Sequence, residues 1–406
     1  MEATLDMQFC GAESLMVFIR NGGTCLYERT AQVLGIQGQT GLYEAEAPLR
    51  EADCKVRVNF VLPGISKTAG GGPKMVFMYS NYLVSKGFDV TICFDCQNML
   101  KRFKVPNIVR HMGSRMLVKV RPNWYKLDKR INKRCIFGIS DAAMPEADHV
   151  VATWVNSAQP VAGLAPNKGS KHYFIQDYET WDMAPDEVEQ TYRLGMSNIV
   201  VSDWLYGIVE HASGIKPHKI KNPIDEAVFY PSGEKREEHE VAVLYHPGSH
   251  KGFEDAFAAL KLAHDRVPDL IVHVFGGPER PDWLPDWCHY TRNASQEQLR
   301  SIYSRSSVYL CATIAEGFAL TCPEAMYCGC ALVSTDFQGV HEYADSNCAL
   351  LSPVHDPEAL ADNLVRLLLC PEEARRIAEL GSERARRECS MTKALSEVER
   401  EFGRPS

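Results

Sequence analysis

Two glutamates, Glu316 and Glu324, stand eight positions apart in the stretch 315–329. We expect a helix with Pro323 at its first position, which puts Glu324 in the first turn and Glu316 on the preceding loop. Amides at a helix start attract phosphate, and Gly317 allows a close approach to the backbone. Carboxylates accept hydrogen bonds from hydroxyls. The pattern suits a ligand with a diphosphate in its middle and hydroxyl-rich groups at both ends, such as a nucleoside diphosphate sugar.

The elements that must position these residues show an alternating pattern of strands and helices. In the first half, strand candidates at 56–62 and 89–94 flank a helix candidate at 74–86, and three glycines at 70–72 join the first strand to the helix. This order is typical of the beginning of a parallel open sheet. The glycines either let a ligand approach the backbone or form a plain flexible turn.

The second half of the chain repeats this alternation. Strand candidates at 241–245, 271–275 and 330–334 are separated by helical patterns, so a second α/β domain is predicted. The polar residues 232–240 have the composition of a linker. Near the N-terminus, residues 18–20 and 24–27 are short strand candidates, although residues 1–52 hold no motif that we can interpret.

The spacing of Glu316 and Glu324 resembles the E-x7-E motif of retaining glycosyltransferases of the family 4 type. Asn222-Pro223-Ile224-Asp225, with Phe229 and Pro231 downstream, is similar to the signature that closes the first domain of these enzymes. The resemblance covers about residues 56–387. It implies the GT-B fold, an α/β architecture in which two Rossmann-like, doubly wound domains face each other across a cleft.

The resemblance also implies a division of the chain into four parts. Residues 1–52 form an extension of unknown role, and residues 53–230 form an acceptor-binding, Rossmann-like domain. Residues 231–375 form the nucleotide-sugar-binding domain. Residues 376–406 are expected to form a helix that crosses back to the first domain.

The family's site residues can be carried over to matching positions. The resemblance implies that Lys251 neutralises the donor diphosphate, Glu316 holds the sugar hydroxyls and Glu324 holds the ribose diol, with Lys251 and Glu316 as the catalytic residues. The expected donor-binding residues are Gly71, Gly72, His246, Arg292, Gly317, Phe318, Ala319, Leu320 and Glu324.

Two positions depart from the family pattern. His246 occupies the place of an arginine, and a neutral imidazole offers one hydrogen bond where a guanidinium offers a fixed charge and a fork. A donor contact and a structural role both fit His246. Gln176 stands where the family often has a histidine, in a loop, 176–179, that is similar to one in rhamnosyltransferases.

The resemblance implies a reaction without a metal or other cofactor. Lys251 and the amides of residues 317–320 would stabilise the departing diphosphate. We therefore predict transfer of a hexosyl or deoxyhexosyl group from a nucleoside diphosphate sugar to a hydroxyl on a glycan, a lipid-linked or a small-molecule acceptor, with retention of configuration, in polysaccharide or glycoconjugate biosynthesis. A sugar-nucleotide epimerase and a non-catalytic sugar-nucleotide-binding protein are the alternatives. His246 and Gln176, as departures, keep the second alternative open.

The composition sets limits on the kind of protein. The chain has 406 residues, is 45% hydrophobic and carries a net charge of −8, which gives no general argument for nucleic acid binding. Its 14 cysteines are scattered singly, as buried thiols in a reducing compartment would be. Cys93-x-x-Cys96 has no second ligand pair, so buried thiols are favoured over zinc. With no membrane-spanning run and no secretory leader, we expect a cytoplasmic protein.

Residues 101–134 form a locally basic stretch. They contain twelve Lys or Arg residues against one acid, Asp128. The stretch is either a solvated basic face or a surface for anionic lipid or a pyrophosphate-linked acceptor, which would place the protein peripherally at the inner face of the membrane. Nucleic acid is not expected, because no recognised binding module accompanies the charge.

Overall fold

The computed structural model describes residues 5–9, 15–21, 24–26, 29–30, 55–65, 69–101 and 106–403. Arg102 and Lys104 of the basic stretch lie outside the described residues. The chain divides into two compact units, Met1–Asp53 and Cys54–Ser406.

The first unit contains an antiparallel sheet. Its described strands are β1 (Leu5–Phe9), β2 (Leu15–Asn21), β3 (Thr24–Leu26) and β4 (Arg29–Thr30). Strand β2 pairs with each of the other three. The strand candidate at 18–20 therefore lies within β2, and residues 24–26 of the second candidate form β3, while residue 27 lies outside the described residues.

The second unit begins with a parallel sheet. Its described strands are β5 (Arg57–Leu62), β6 (Asp89–Asp95), β7 (Asn132–Ile136), β8 (His149–Ala152), β9 (Ser170–Ile175), β10 (Ser197–Val200) and β11 (His218–Lys219). The helices that accompany them are α1 (Gly71–Ser85), α2 (Asn107–Val120), α3 (Val155–Ala162), α4 (Pro185–Thr191) and α5 (Asp203–Ser213). The strand order is β11-β10-β9-β8-β5-β6-β7.

A second parallel sheet follows in the same unit. Its described strands are β12 (Glu237–Tyr245), β13 (Ile271–Gly276), β14 (Cys288–Arg292), β15 (Ser306–Cys311), β16 (Ala331–Thr335) and β17 (Leu350–Ser352). Its helices are α6 (Phe253–Arg266), α7 (Gln296–Arg305), α8 (Thr321–Tyr327), α9 (Pro357–Leu369) and α10 (Pro371–Glu388). The strand order is β14-β13-β12-β15-β16-β17.

Both sheets are doubly wound. In each, the chain adds strands on one side of the first strand and then returns to add strands on its other side, between β5 and β8 and between β12 and β15. Central strands are buried on both faces: β15 and β16 are buried at every position. Such strands produce the continuous apolar runs seen in the sequence. The predicted fold class, two Rossmann-like α/β domains, is confirmed.

The chain passes twice between the two sheets. The first crossing, after β11, includes Ile224, and the second includes Cys389, between α10 and α11 (Met391–Phe402). The backbone N–H of Ile224 donates to the carbonyl of Cys389 at 3.1 Å, so the crossings lie side by side. Helix α11 then packs on the first sheet, where the ring of Phe402 meets Phe60 edge-on at 5.9 Å.

Candidate active site

The switch point of the second sheet brings two distant loops together. Strands β12 and β15 are neighbours, with Val243 paired to Leu310. The loop after β12 carries Lys251, and the loop after β15 carries Glu316. Because the carboxyl ends of neighbouring parallel strands meet at one edge of a sheet, the two side chains converge although their positions are far apart in sequence.

Lys251 and Glu316 form a direct ion pair between Nζ and Oε1. The side chains are 18% and 15% exposed. Burial acts to lower the pKa of Lys251, but the Glu316 carboxylate outweighs it, so the pKa is raised above its ordinary value. The Lys251 ammonium is therefore charged, largely buried and neutralised by the Glu316 carboxylate.

Gly252 fixes the backbone that presents Lys251. It has φ 61°, in the left-handed region, and it ends a 3-10 turn at Ser249–Lys251. A Cβ at this position would lie 1.8 Å from the carbonyl oxygen of Ala312, on the loop that leads to Glu316. Only glycine allows the two loops to approach this closely.

The second oxygen of Glu316 is held by a hydroxyl. Thr313 Oγ1 donates to Glu316 Oε2 at 3.3 Å. A cavity of about 20 Å³ lies beside this group, and Lys251, Thr313, Glu316 and Thr321 contribute to its lining. The carboxylate is thus oriented by an ammonium and a hydroxyl beside a small cavity.

Asp177 approaches this cluster from the first domain. Its Oδ1 accepts hydrogen bonds from the backbone N–H groups of Tyr178 and Gly317, each at 2.9 Å. A Cβ on Gly317 would lie 2.5 Å from the carbonyl oxygen of Gln176, so glycine is required for this contact. Burial and the Glu316 carboxylate raise the pKa of Asp177 to about 7, against the opposing effect of Lys251.

Asp177 was not predicted from the sequence as a site residue. The loop 176–179 that contains it was marked by its likeness to rhamnosyltransferases and by Gln176 at the place of the family's histidine. The available signal was an acidic residue two positions after the end of strand β9, at the edge of the sheet where ligands bind.

Glu324 is buried and paired with a residue of the first domain. Lys74 Nζ lies 2.5 Å from Glu324 Oε1, and the side chains are 11% and 6% exposed. The same ammonium lies 4.8 Å from the centre of the Phe229 ring. Lys74 was also not singled out from the sequence, although a lysine directly before the apolar run Met75-Val76-Phe77 is a signal for a buried, paired charge.

Gly71 and Gly72 lie in the first turn of α1, which begins three residues before the predicted helix start at 74. A Cβ on Gly71 would lie 3.1 Å from Leu320 Cδ1, and one on Gly72 would lie 3.2 Å from Gln176 Nε2. The glycines therefore allow close packing of α1 against the loop before α8 and against the loop after β9.

The loop before α8 differs in one detail from the expectation. The helix begins at Thr321, so Pro323 is its third residue and not its first. Phe318 is buried, with its ring 5.4 Å from that of Tyr343. Ala319 is also buried and has φ 54°. Both residues are therefore packed inside the protein in this structure.

Two further residues that were predicted to bind the donor are His246 and Arg292. His246 is only partly exposed, and its Nδ1 accepts a hydrogen bond from the N–H of Gly248 at 3.0 Å. Partial burial, Lys251 and His250 lower the pKa of His246, so the imidazole is neutral near pH 7. Arg292 is exposed and pairs with Glu279 on the loop after β13.

An aromatic contact between the two domains was also missed. The indole of Trp181, from the first domain, stacks on the imidazole of His250 with ring centres 4.8 Å apart and planes 13° apart. Trp181 is an exposed residue, and His250 directly precedes Lys251. The stack therefore stands beside the cluster, where no sequence motif marked it.

Metal-binding clusters were sought within the described ranges. There, no three His, Cys, Asp or Glu side chains come together as potential ligands. Cys93 and Cys96 are both buried free thiols, and burial raises the pKa of Cys93 to about 12. In the same ranges, no helix is both long and apolar enough to span a bilayer.

The chain is similar in sequence to several known proteins. The model of the family described as "Glycosyl transferases group 1" matches residues 228–384, which include Lys251, Glu316 and Glu324. The O-antigen biosynthesis protein RfbC of Myxococcus xanthus is 29% identical over 210 residues, or 48% of this chain and 16% of that protein. Alpha-maltose-1-phosphate synthase of Mycolicibacterium smegmatis is 27% identical over 207 residues, or 43% of this chain and 53% of that protein.

These matches span about half or less of the length of the curated relatives. Among solved structures, a variant of TarM from S. aureus, in complex with fondaparinux, alpha-GlcNAc-glycerol and UDP, superposes with a TM-score of 0.68. It shares 8% identity, and the superposition covers 86% of this chain and 100% of that chain. At this identity the likeness shows the fold alone, which is the two-domain GT-B arrangement.

Proposed function

We propose that this protein transfers a sugar from a nucleoside diphosphate sugar to a hydroxyl acceptor. The observation that carries the proposal is the Lys251–Glu316 pair at the switch point of the second sheet, opposite Asp177 of the first domain. Open α/β sheets bind their ligands at such switch points. The family match over residues 228–384 and the UDP in the TarM complex support a nucleotide-sugar donor.

In this proposal Lys251 neutralises the diphosphate, with help from the amides of residues 317–320. Glu316 accepts hydrogen bonds from hydroxyls of the transferred sugar, and Glu324 accepts them from the ribose diol. Both glutamates already have ammonium partners within the protein. On donor binding, hydroxyls of the donor therefore replace the ammonium partners of the two glutamates. Lys251 moves from the Glu316 carboxylate to the donor phosphates.

The remaining donor-binding residues have smaller roles in the proposal. Gly71 and Gly72 let the donor pass close to the start of α1. His246 contributes a neutral imidazole near the diphosphate, and Arg292 lies near the nucleobase at the end of β14.

We propose that transfer proceeds with retention and without a metal. The bond from the anomeric carbon to the diphosphate oxygen breaks, and its electron pair leaves with the diphosphate. The acceptor oxygen bonds to the same face of the sugar, and its proton passes to the departing phosphate oxygen. Lys251 stabilises the charge that develops on the diphosphate. This reaction requires no protein nucleophile.

The finer parts of the proposal concern the sugar, the acceptor and the place of the reaction. We propose a hexosyl or deoxyhexosyl donor and an acceptor in polysaccharide or glycoconjugate biosynthesis, which is supported by the similarity to an O-antigen biosynthesis protein. Buried free thiols such as Cys93 and Cys311 support a cytoplasmic location.

The test combines thermal stabilisation with turnover. A panel of nucleoside diphosphate sugars is screened for a rise in melting temperature, which identifies the donor. The donor is then incubated with a panel of glycan and lipid-linked acceptors, with wild-type protein, Glu316→Gln and the control Glu297→Gln, an exposed glutamate in the first turn of α7. Transfer by the wild type and the control, with a loss of about a hundredfold or more in Glu316→Gln, is expected.

Other outcomes would overturn the proposal. Isomerisation of the donor without any acceptor would indicate an epimerase. Stabilisation by a donor without turnover across the acceptor panel would indicate a binding protein. Undiminished transfer by Glu316→Gln would reject the assignment of Glu316.

A further inference from the structure

Helix α2 turns an apolar face away from the protein. Ile108, Val109, Met112, Met116 and Val120 are between 52% and 71% exposed. Four of them recur at every fourth position, so they form one stripe along the helix. A stripe of five large apolar side chains on one exposed face is unlike the scattered surface residues of an ordinary soluble domain.

The opposite face of α2 is the one that packs on the domain. Ser114 and Val118 are its buried residues. His111 stacks on the ring of Phe137, with centres 3.7 Å apart. The orientation of the helix is therefore fixed by its own contacts, and the apolar stripe does not face the core.

Positive charge surrounds the apolar stripe. Arg115 and Lys119 are exposed on the same helix, and the segment after it adds Lys126 and Lys129, both exposed. The one acid of residues 101–134, Asp128, is bound by Arg130 at 2.8 Å, which offsets its charge. The protein as a whole has a net charge of −8, so this local excess of cations is specific to the region.

We propose that α2 and its basic surroundings bind the surface of an anionic lipid bilayer. An apolar stripe flanked by Lys and Arg is the composition of a helix that lies in the bilayer interface, where side chains such as Met and Ile enter the acyl boundary and cations meet lipid headgroups. Nucleic acid would match the charge but not the apolar stripe. The combination of both features commits the proposal to anionic lipid.

The position of α2 connects this surface to the cleft. The helix follows β6, which lies beside β5 in the sheet, and β5 leads to Gly71 at the start of α1. The loops after β5 and β6 leave the same edge of the sheet. If the proposed transferase function holds, a bilayer docked on α2 presents a lipid-linked acceptor at that edge. The membrane surface itself does not depend on the transferase function.

The experiment measures sedimentation of the full chain with vesicles. Vesicles of phosphatidylcholine alone are compared with vesicles that also contain phosphatidylglycerol, at low and high salt. The stripe variant is Ile108→Ser with Met112→Ser and Met116→Ser. The matched control is Ile215→Ser with Leu369→Ser and Leu262→Ser, which removes exposed apolar residues elsewhere. A charge variant combines Arg115→Gln with Lys119→Gln.

We expect the wild type and the control to sediment with phosphatidylglycerol vesicles and to be released by salt. The stripe variant and the charge variant should each bind these vesicles at least about tenfold more weakly than the wild type. Their circular dichroism spectra should be unchanged. Three results would overturn the proposal. They are failure of the wild type to bind phosphatidylglycerol vesicles, equal binding by the stripe variant, and a wild-type dimer in analytical ultracentrifugation that the stripe variant abolishes. These results are independent of the donor screen, so failure of one proposal leaves the other standing.

Discussion

Lys74 Nζ lies 2.5 Å from Glu324 Oε1, and this buried ion pair joins α1 of the first domain to α8 of the second. The two residues are far apart in sequence and belong to different domains. Glu324 is therefore both the second glutamate of the E-x7-E spacing and a structural contact between the domains.

Removing one member of the Lys74–Glu324 pair should destabilise the fold strongly, whereas removing both members should destabilise it much less. We expect Lys74→Met to lower the free energy of unfolding by about 3–5 kcal/mol, because it leaves the Glu324 carboxylate buried without its partner. The double variant Lys74→Met with Glu324→Leu should lose much less. Urea denaturation of both single variants and the double variant measures the coupling. Strictly additive losses would show that the pair has no energetic coupling.

Gly252→Ala should damage both stability and donor binding. The added Cβ would lie 1.8 Å from the carbonyl of Ala312, so the loops that carry Lys251 and Glu316 must separate. Gly195 is the matched control, because it has φ 74° and nothing within 4 Å of an added Cβ. Gly195→Ala should lower the free energy of unfolding only by the cost of placing an alanine in left-handed backbone, about 1–2 kcal/mol. Denaturation and donor-induced thermal shifts compare the two, and equal losses would contradict the steric argument.

Asp177 should make stability fall as the pH rises. Its pKa is about 7 in the folded protein, because it is buried near Glu316, and about 4 in an unfolded chain. Below pH 4 both states are protonated, and between pH 4 and 7 only the folded state retains the proton. The wild type therefore loses stability across this window, by up to about 1.4 kcal/mol per pH unit. The advantage of Asp177→Asn over the wild type should grow from pH 4 to 7 and stay level above. Urea denaturation at several pH values measures this difference in stability, and a difference that does not change with pH would contradict the prediction.

Glu401 should make stability fall as the pH decreases, which is the reverse of the effect of Asp177. Burial alone would raise the pKa of Glu401, but hydrogen bonds from His172 and His218 outweigh it and lower the pKa to about 2. The carboxylate thus stabilises the fold above the unfolded pKa, and this stabilisation is lost as the pH falls from about 4.5 to 2. Glu401→Gln should lose about 2–3 kcal/mol at neutral pH, and less in acid.

The matched control for Glu401 is Glu383→Gln, an exposed position on α10. Urea denaturation across the pH series should show little change for this control. An equal loss in both variants, or a loss in Glu401→Gln that persists at the acid end, would contradict the predicted linkage.

Much of the fold could be predicted from the sequence, because strands buried on both faces leave continuous apolar runs. The strands at Arg57–Leu62 and Asp89–Asp95 lie close to the predicted ranges 56–62 and 89–94. Helix boundaries were less accurate. The glycines in the first turn of α1 are unfavourable inside a helix and concealed its start. Proline is favoured at the first helical position, whereas Pro323 is the third residue of α8.

The candidate site was predicted in part. Lys251 and Glu316 were named from a resemblance, and they meet because β12 and β15 are neighbours, a relation that apolar patterns do not specify. Lys74 and Asp177 were missed because their partners lie in the other domain, and such pairs depend on how the domains pack. The outward stripe of α2 could not be predicted, because the orientation of this helix is set by packing contacts such as that of His111 with Phe137, which the sequence does not specify.

The paired crossings at Ile224 and Cys389 have a mechanical consequence. Two adjacent connections that are hydrogen-bonded to each other restrict the relative motion of the two halves more than a single linker would. A change in the width of the cleft would have to bend both connections together.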